Sequence, residues 1–160
     1  MEITHFTEAD FNTVGIHTNL SNIVPEEFKK NFQIVGEKLE EARKILSDYF
    51  GHDTPIIVAY WYRGPALNAA VGGSITSAHM EGLAVDTHYI GHDVDEIASI
   101  LMQHSTFMAG IDQLIIEHGC LHYGLPCKAS DYLPRHQLRH DHLDHGVRTY
   151  PLVSVWRSTN

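Results

Sequence analysis

The chain is 160 residues long, 43% hydrophobic and 19% charged, with a net charge of −9 and a pI near 5.7. That length suits one domain around one core, and the composition excludes a disordered chain. The acidic balance excludes a general nucleic-acid binder, which needs a basic face.

Two cysteines, Cys120 and Cys127, are too few for a disulfide scaffold and read as reduced thiols. The opening M-E-I-T-H-F-T-E-A-D lacks the basic region and apolar run of a secretory signal. No apolar stretch approaches the ~20 residues of a membrane span. The expectation is a protein made in the cytoplasm without a membrane anchor, monomeric, whose export needs another factor. Thirteen histidines are the compositional oddity and make a metal worth seeking.

Residues 1–24 are polar and loop-like, with short helical turns around Thr7 to Phe11. From Pro25, Phe28, Phe32, Val35, Leu39, Ala42, Ile45 and Leu46 recur at steps of three and four, which predicts one helix to about Tyr49. Pro25 suits the first turn, Glu26 and Glu27 complement its positive end, and Gly51-His52-Asp53 stops it. Pro55 to Tyr62 is β-branched and aromatic and predicts a strand. Arg63-Gly64-Pro65 breaks it, and Pro65 to Ala70 can form a short helix. Leu83 to Thr87 reads as a buried strand carrying Asp86. Asp93 is a candidate N-cap for a second helix to about Phe107. Gln113 to Glu117 and Cys120 to Tyr123 read as a hairpin, and Leu152 to Trp156 as a last strand. Alternating helices and hairpin-like strand pairs predict an α+β fold.

The chemistry centres on Ser77 to Asp86, S-A-H-M-E-G-L-A-V-D. His79 and Asp86 offer an imidazole nitrogen and a carboxylate oxygen, both zinc ligands, and Gly82 turns the chain between them. Catalytic zinc takes three protein ligands and keeps a fourth position for water. Hydrolysis also needs a nearby base. His122, on a separate strand, could complete the ligand set, with Glu117 as base. Each candidate has a plainer reading. His79 and Asp86 could form a turn network, and His122 a core histidine beside Tyr123. Glu117 and Arg63 could belong to surface ion pairs.

The Ser77–Asp86 segment resembles the S-x-H-x-x-G-x-A-x-D signature of the zinc D-alanyl-D-alanine peptidases. That family includes phage endolysins that cut L-alanyl-D-glutamate bonds, and it shares its fold with the hedgehog signalling domain. Upstream, Y-R-G-P-A-L-N-A-A-V-G-G is similar to the family's Y-R-S-x-x-L-N-x-x-V-G-G. Downstream, I-D-Q-L-I-I-E-H-G-C-L-H-Y-G-L is similar to its F-D-Q-L-I-x-E and W-V-H segments. Together with the opening H-F-T-E-A-D-F and the long helix, the likeness runs from about His5 to about Arg139; residues 140–160 are an unplaced tail.

The resemblance implies a small antiparallel sheet with flanking helices around one zinc ion. It implies His79, Asp86 and His122 as zinc ligands and Glu117 as general base. Arg63 would anchor a substrate carboxylate or stabilise the oxyanion, as a planar, always-charged guanidinium can. Ser77 would hydrogen-bond in the site or to substrate, and Gln113 would support from behind. The implied substrate is the stem peptide of bacterial peptidoglycan, cut by a carboxypeptidase or an endolysin-type endopeptidase. A phage lysis enzyme released through a holin would fit the missing signal, and a bacterial cytoplasmic or prophage-borne enzyme would fit it nearly as well.

The chain departs from the pattern at Cys120, which stands where the family carries an aromatic residue. It also has Tyr60-Trp61 before Tyr62-Arg63, and a Glu117-to-His122 interval one residue short. Two other classes stay open: a zinc-binding interaction domain without turnover, and a metal-independent phage structural protein. Cys120, two residues before His122, could line the pocket or reach the metal. His118 could act as an auxiliary acid. The run R-H-Q-L-R-H-D-H-L-D-H-G, with His136, His140, His142 and His145, is read as a solvated face in preference to a second metal site.

Overall fold

The computed structural model describes residues 2–117, 119–144 and 147–156. It is α+β, with a six-stranded sheet flanked by helices. In chain order the elements are α1 (Glu8–Phe11), α2 (Glu26–Lys29), α3 (Asn31–Phe50), β1 (Ile57–Tyr60) and α4 (Pro65–Ala70). Then come β2 (Ala84–His88), α5 (Val94–Met102), α6 (Ser105–Ala109), β3 (Gln113–Glu117) and β4 (Cys120–Gly124). The described chain ends with β5 (Gln137–His140), β6 (His142–Asp144), β7 (Val147–Thr149) and β8 (Leu152–Val155).

The sheet runs β1-β2-β4-β3-β5-β8, and β6 pairs with β7 in a separate hairpin. It is antiparallel, as expected, except where β5 lies parallel to β3. From the tail left unplaced by the resemblance, β8 pairs with β5 and so extends the sheet beyond β3.

The long helix forms as the apolar stripe requires. Val35, Leu39, Ala42 and Leu46 are buried along one side of α3, and Gly51 ends it in the left-handed conformation at φ 72°. The expected single helix from Pro25 is divided at Lys30. Immediately after the break, the buried Asn31 side chain donates to the Glu81 carbonyl at 2.6 Å, tying the helix start to the turn that carries His79. The second expected helix is divided too. His104 is extended, and the new start lets α6 turn Phe107 and Met108 into the core.

The first strand is shorter than its β-branched run. The ladder shifts register between Val58 and Tyr60 and ends at Tyr60 opposite Asp86, and Trp61 and Tyr62 leave it for the core. Trp61 is fully buried, stacked on Phe32 at 5.4 Å and edge-on to Phe11 at 5.0 Å. Such aromatic pairs contribute about 0.5–1.5 kcal/mol each beyond area burial. The indole Nε1–H donates to the Gly82 carbonyl at 3.1 Å, so the aromatic cluster grips the turn in the Ser77–Asp86 segment directly.

The crossover into β5 is held by Asp112, whose side chain is 2% exposed. It accepts from the Arg135 backbone N–H and from Arg135 Nε and Nη2, while its own carbonyl accepts from Gln137 N–H. This charge-assisted fork fixes the start of β5.

Candidate metal centre and cleft

The first ligand candidate sits on a 3-10 turn, Ala78–Glu81, closed by Gly82 at φ 69°. Gly82 N–H donates to the His79 carbonyl at 3.0 Å, and Leu83 N–H to Ala78 at 3.0 Å. Arg63 N–H donates to the same His79 carbonyl at 2.9 Å, joining the segment after β1 to the turn. A Cβ at Gly82 would lie 2.7 Å from the Phe11 ring. Gly82→Ala combines left-handed strain with overpacking, and it is expected to cost about 2–4 kcal/mol. Urea unfolding checks the stability, and zinc titration checks whether His79 has moved.

The other two candidates meet through strand register. Asp86 on β2 stands directly opposite His122 on β4, and on its other side Tyr60 of β1. The three side chains converge in the buried layer. His122 Nδ1 is 2.8 Å from Asp86 Oδ1, and His79 Nε2 is 3.1 Å from both atoms. His79 is fully buried, Asp86 and His122 nearly so.

Protons decide what this cluster is. His79 Nδ1 lies 2.7 Å from the Trp61 carbonyl, which can only accept, so the ring proton sits on Nδ1. Burial pushes the His79 pKa down to about 4, outweighing the attraction of Asp86, and the ring is neutral near pH 7. Its Nε2 lone pair therefore points at a carboxylate oxygen. Burial alone would raise the Asp86 carboxyl, but the charge and hydrogen bonds of His79 and His122 outweigh it and hold it well below the usual range. Three electron-pair donors thus share one small volume, with at most the His122 Nδ1 proton among them.

That is a poor arrangement for a neutral core and a good one for a divalent cation. Ligands about 2.0–2.1 Å from a tetrahedral zinc sit about 3.3 Å apart, close to the spacing here. The Trp61 carbonyl behind His79 is the kind of outer partner that orients a ligating imidazole. The donor set fits zinc. Among the described residues this trio is the group able to hold a metal ion.

The trio opens into a cleft of about 490 Å³ that also exposes Arg63, Ser77, Gln113 and Glu117. Glu117 ends β3 opposite Cys120, and Ile115 stands opposite His122. These pairings put Glu117 and His122 on one face despite the short interval. The Glu117 pKa is raised, first by burial and then by the Asp86 charge, with His122 and Arg63 opposing. Arg63 is 12% exposed; its Nη1 lies 3.8 Å from Asp86 Oδ2, and Nη2 donates to Ser77 Oγ at 3.3 Å. Its Nε is buried with no partner among the described residues. Burial lowers the Arg63 pKa while Asp86 and Glu117 oppose the shift, and a guanidinium stays charged throughout.

Cys120 is not in the trio. Burial, then the nearby Asp86 and Glu117 charges, push its thiol pKa far up, so it remains a protonated neighbour. Gln113 faces the cleft and donates to Gln137 Oε1 at 2.9 Å. His118 and His145 lie outside the described residues. The histidine-rich run is partly the solvated face expected, with His142 exposed and His140 43% exposed, while His136 is tied to the fold. His136 Nδ1 donates to the Ile111 carbonyl at 3.0 Å and its ring packs near Trp156, while His140 reaches Asp95 at 3.1 Å. Arg135 and Arg139, from the same run, line the cleft, and sequence reasoning missed both. The signal was there in Gln137-Leu138-Arg139, where Leu138 packs against the core and its neighbours point the other way.

A protein-family model described as Peptidase M15 matches residues 7–118. No curated protein sequence matches the chain. The matched span contains His79, Asp86, Arg63 and Glu117; His122 lies beyond it and joins the cluster through the β2–β4 pairing. The chain belongs to the peptidase M15 family of zinc-dependent peptidases.

Proposed function

We propose that the protein hydrolyses an amide bond in the stem peptide of bacterial peptidoglycan. The observation that carries this reading is a buried His79–Asp86–His122 trio opening into a cleft that also holds a half-buried carboxylate and a buried guanidinium. His79, Asp86 and His122 would hold zinc, which when bound lowers the pKa of water toward ~7 and polarises a carbonyl. Glu117 takes the proton of the attacking water and returns it to the leaving amine; its raised pKa suits both tasks. Arg63 donates to the substrate oxygen that gains charge, and Ser77 holds the guanidinium in place.

Mass spectrometry of purified muropeptides after incubation with the zinc-loaded protein tests this. Loss of a terminal D-alanine identifies a carboxypeptidase, and a cut between L-alanine and D-glutamate an endopeptidase. Unchanged muropeptides, with one zinc bound per chain, would overturn the peptidase reading in favour of a zinc-binding interaction domain.

A further inference from the structure

We infer that Arg139 is a specificity-determining residue, binding a free carboxylate of the peptide a short distance from the scissile bond. The inference rests on the peptidase reading for its substrate class.

Register places Arg139 in line with the metal trio. One row across the sheet reads Asp86, His122, Ile115, Arg139 on β2, β4, β3 and β5. Strands lie about 4.8 Å apart, so the Arg139 backbone is about 10 Å from that of His122. An extended peptide advances about 3.3–3.6 Å per residue. A carboxylate one to three residues from the cut therefore comes within reach of the guanidinium.

Charge points the same way. Three guanidinium groups line the cleft, and two have anionic partners. Arg63 lies beside Asp86, and Arg135 is forked onto Asp112. Arg139 is held by neutral acceptors: Nε and Nη2 donate to Gln137 Oε1 at 3.3 and 3.0 Å, and Nη1 donates to the Tyr150 carbonyl at 2.9 Å. No carboxylate pairs with it among the described residues. Of its five N–H donors these contacts use three, leaving two without a partner among the described residues, the number a bidentate carboxylate needs. Gln113 completes the support by donating to the same Gln137 oxygen. A positive charge fixed in position and paired with no carboxylate among the described residues, in a chain of net charge −9, suits an anionic ligand.

The test uses calorimetric binding to the zinc-loaded full chain carrying Glu117→Gln, so that peptide survives. Two probes are compared: a stem peptide with its free D-glutamate carboxylate, and the same peptide with that carboxylate amidated. Arg139→Gln is expected to weaken the acidic peptide about 10- to 100-fold while leaving the amidated one within about twofold, and Arg139→Lys to restore part of the loss. Equal weakening of both peptides would show a merely structural role and overturn the inference. So would unchanged binding of the acidic peptide, or no binding of either peptide before Arg139 is changed. Failure of the peptidase reading shows separately, as absent hydrolysis by the protein with Glu117 intact.

Discussion

Replacing Glu117 by glutamine is expected to lower kcat/KM on the stem peptide by about 10²- to 10⁴-fold, the usual contribution of a positioned general base. The glutamine keeps the shape of the side chain and cannot accept the proton. Zinc stoichiometry should stay at one per chain, because Glu117 is outside the trio. Stability should move the other way. The folded Glu117 pKa is raised by burial and by Asp86, so this group favours the fold below its unfolded pKa and loses that contribution as pH rises through the folded one. At pH 7 the ionised side chain is a burden, and the metal-free Glu117→Gln protein should unfold at equal or higher urea concentration than the parent. Loss of activity with no loss of stability separates a base from a structural carboxylate. A drop in both, or full activity in the variant, would remove Glu117 from the mechanism.

Asp86→Ala is expected to abolish activity and weaken zinc binding by on the order of 10²- to 10⁴-fold, about a third of the ~10–16 kcal/mol typical of a three- or four-ligand protein site. Asp86 is the only anionic ligand of the trio and contacts both imidazoles, so its loss removes a donor and the charge that favours a cation. The expected thermal signature is as sharp. Zinc at 1,000 times the parent's Kd should add about 4 kcal/mol to the parent's stability and raise its unfolding temperature, and the same zinc should add no more than about 1.4 kcal/mol to Asp86→Ala. His79→Ala should lose most of the response as well, while Cys120→Ala should keep it, because the thiol stays protonated outside the trio. A full zinc response in both ligand variants would place the metal elsewhere.

What local sequence could carry, it carried. The stripe from Val35 to Leu46 has the period of a helix with one buried side, and α3 follows it because burial of that side is what stabilises it. Gly82 announces a turn that no side chain can make without meeting Phe11, and His79 and Asp86 stand on either side of it. These features depend on neighbours within a few positions, so they are written in order along the chain.

Long-range pairing decided the rest. Lys30 and His104 divide helices whose periodicity runs on, because tertiary contacts of Asn31 and of Phe107 with Met108 outweigh the small preference for continuing a turn. The short Glu117-to-His122 interval still leaves both residues on one face because Glu117 pairs with Cys120 and Ile115 with His122, which spacing does not reveal. Arg139 entered the cleft through the parallel pairing of β5 with β3, fixed by the Asp112–Arg135 fork across 23 residues. Sequence by itself determined the family and the α+β class and named the candidate ligating groups, since each rests on local pattern. Tertiary structure alone decided that three donors share one volume and that Arg139 lines the cleft beside them, because register between distant strands is set by packing the whole sheet.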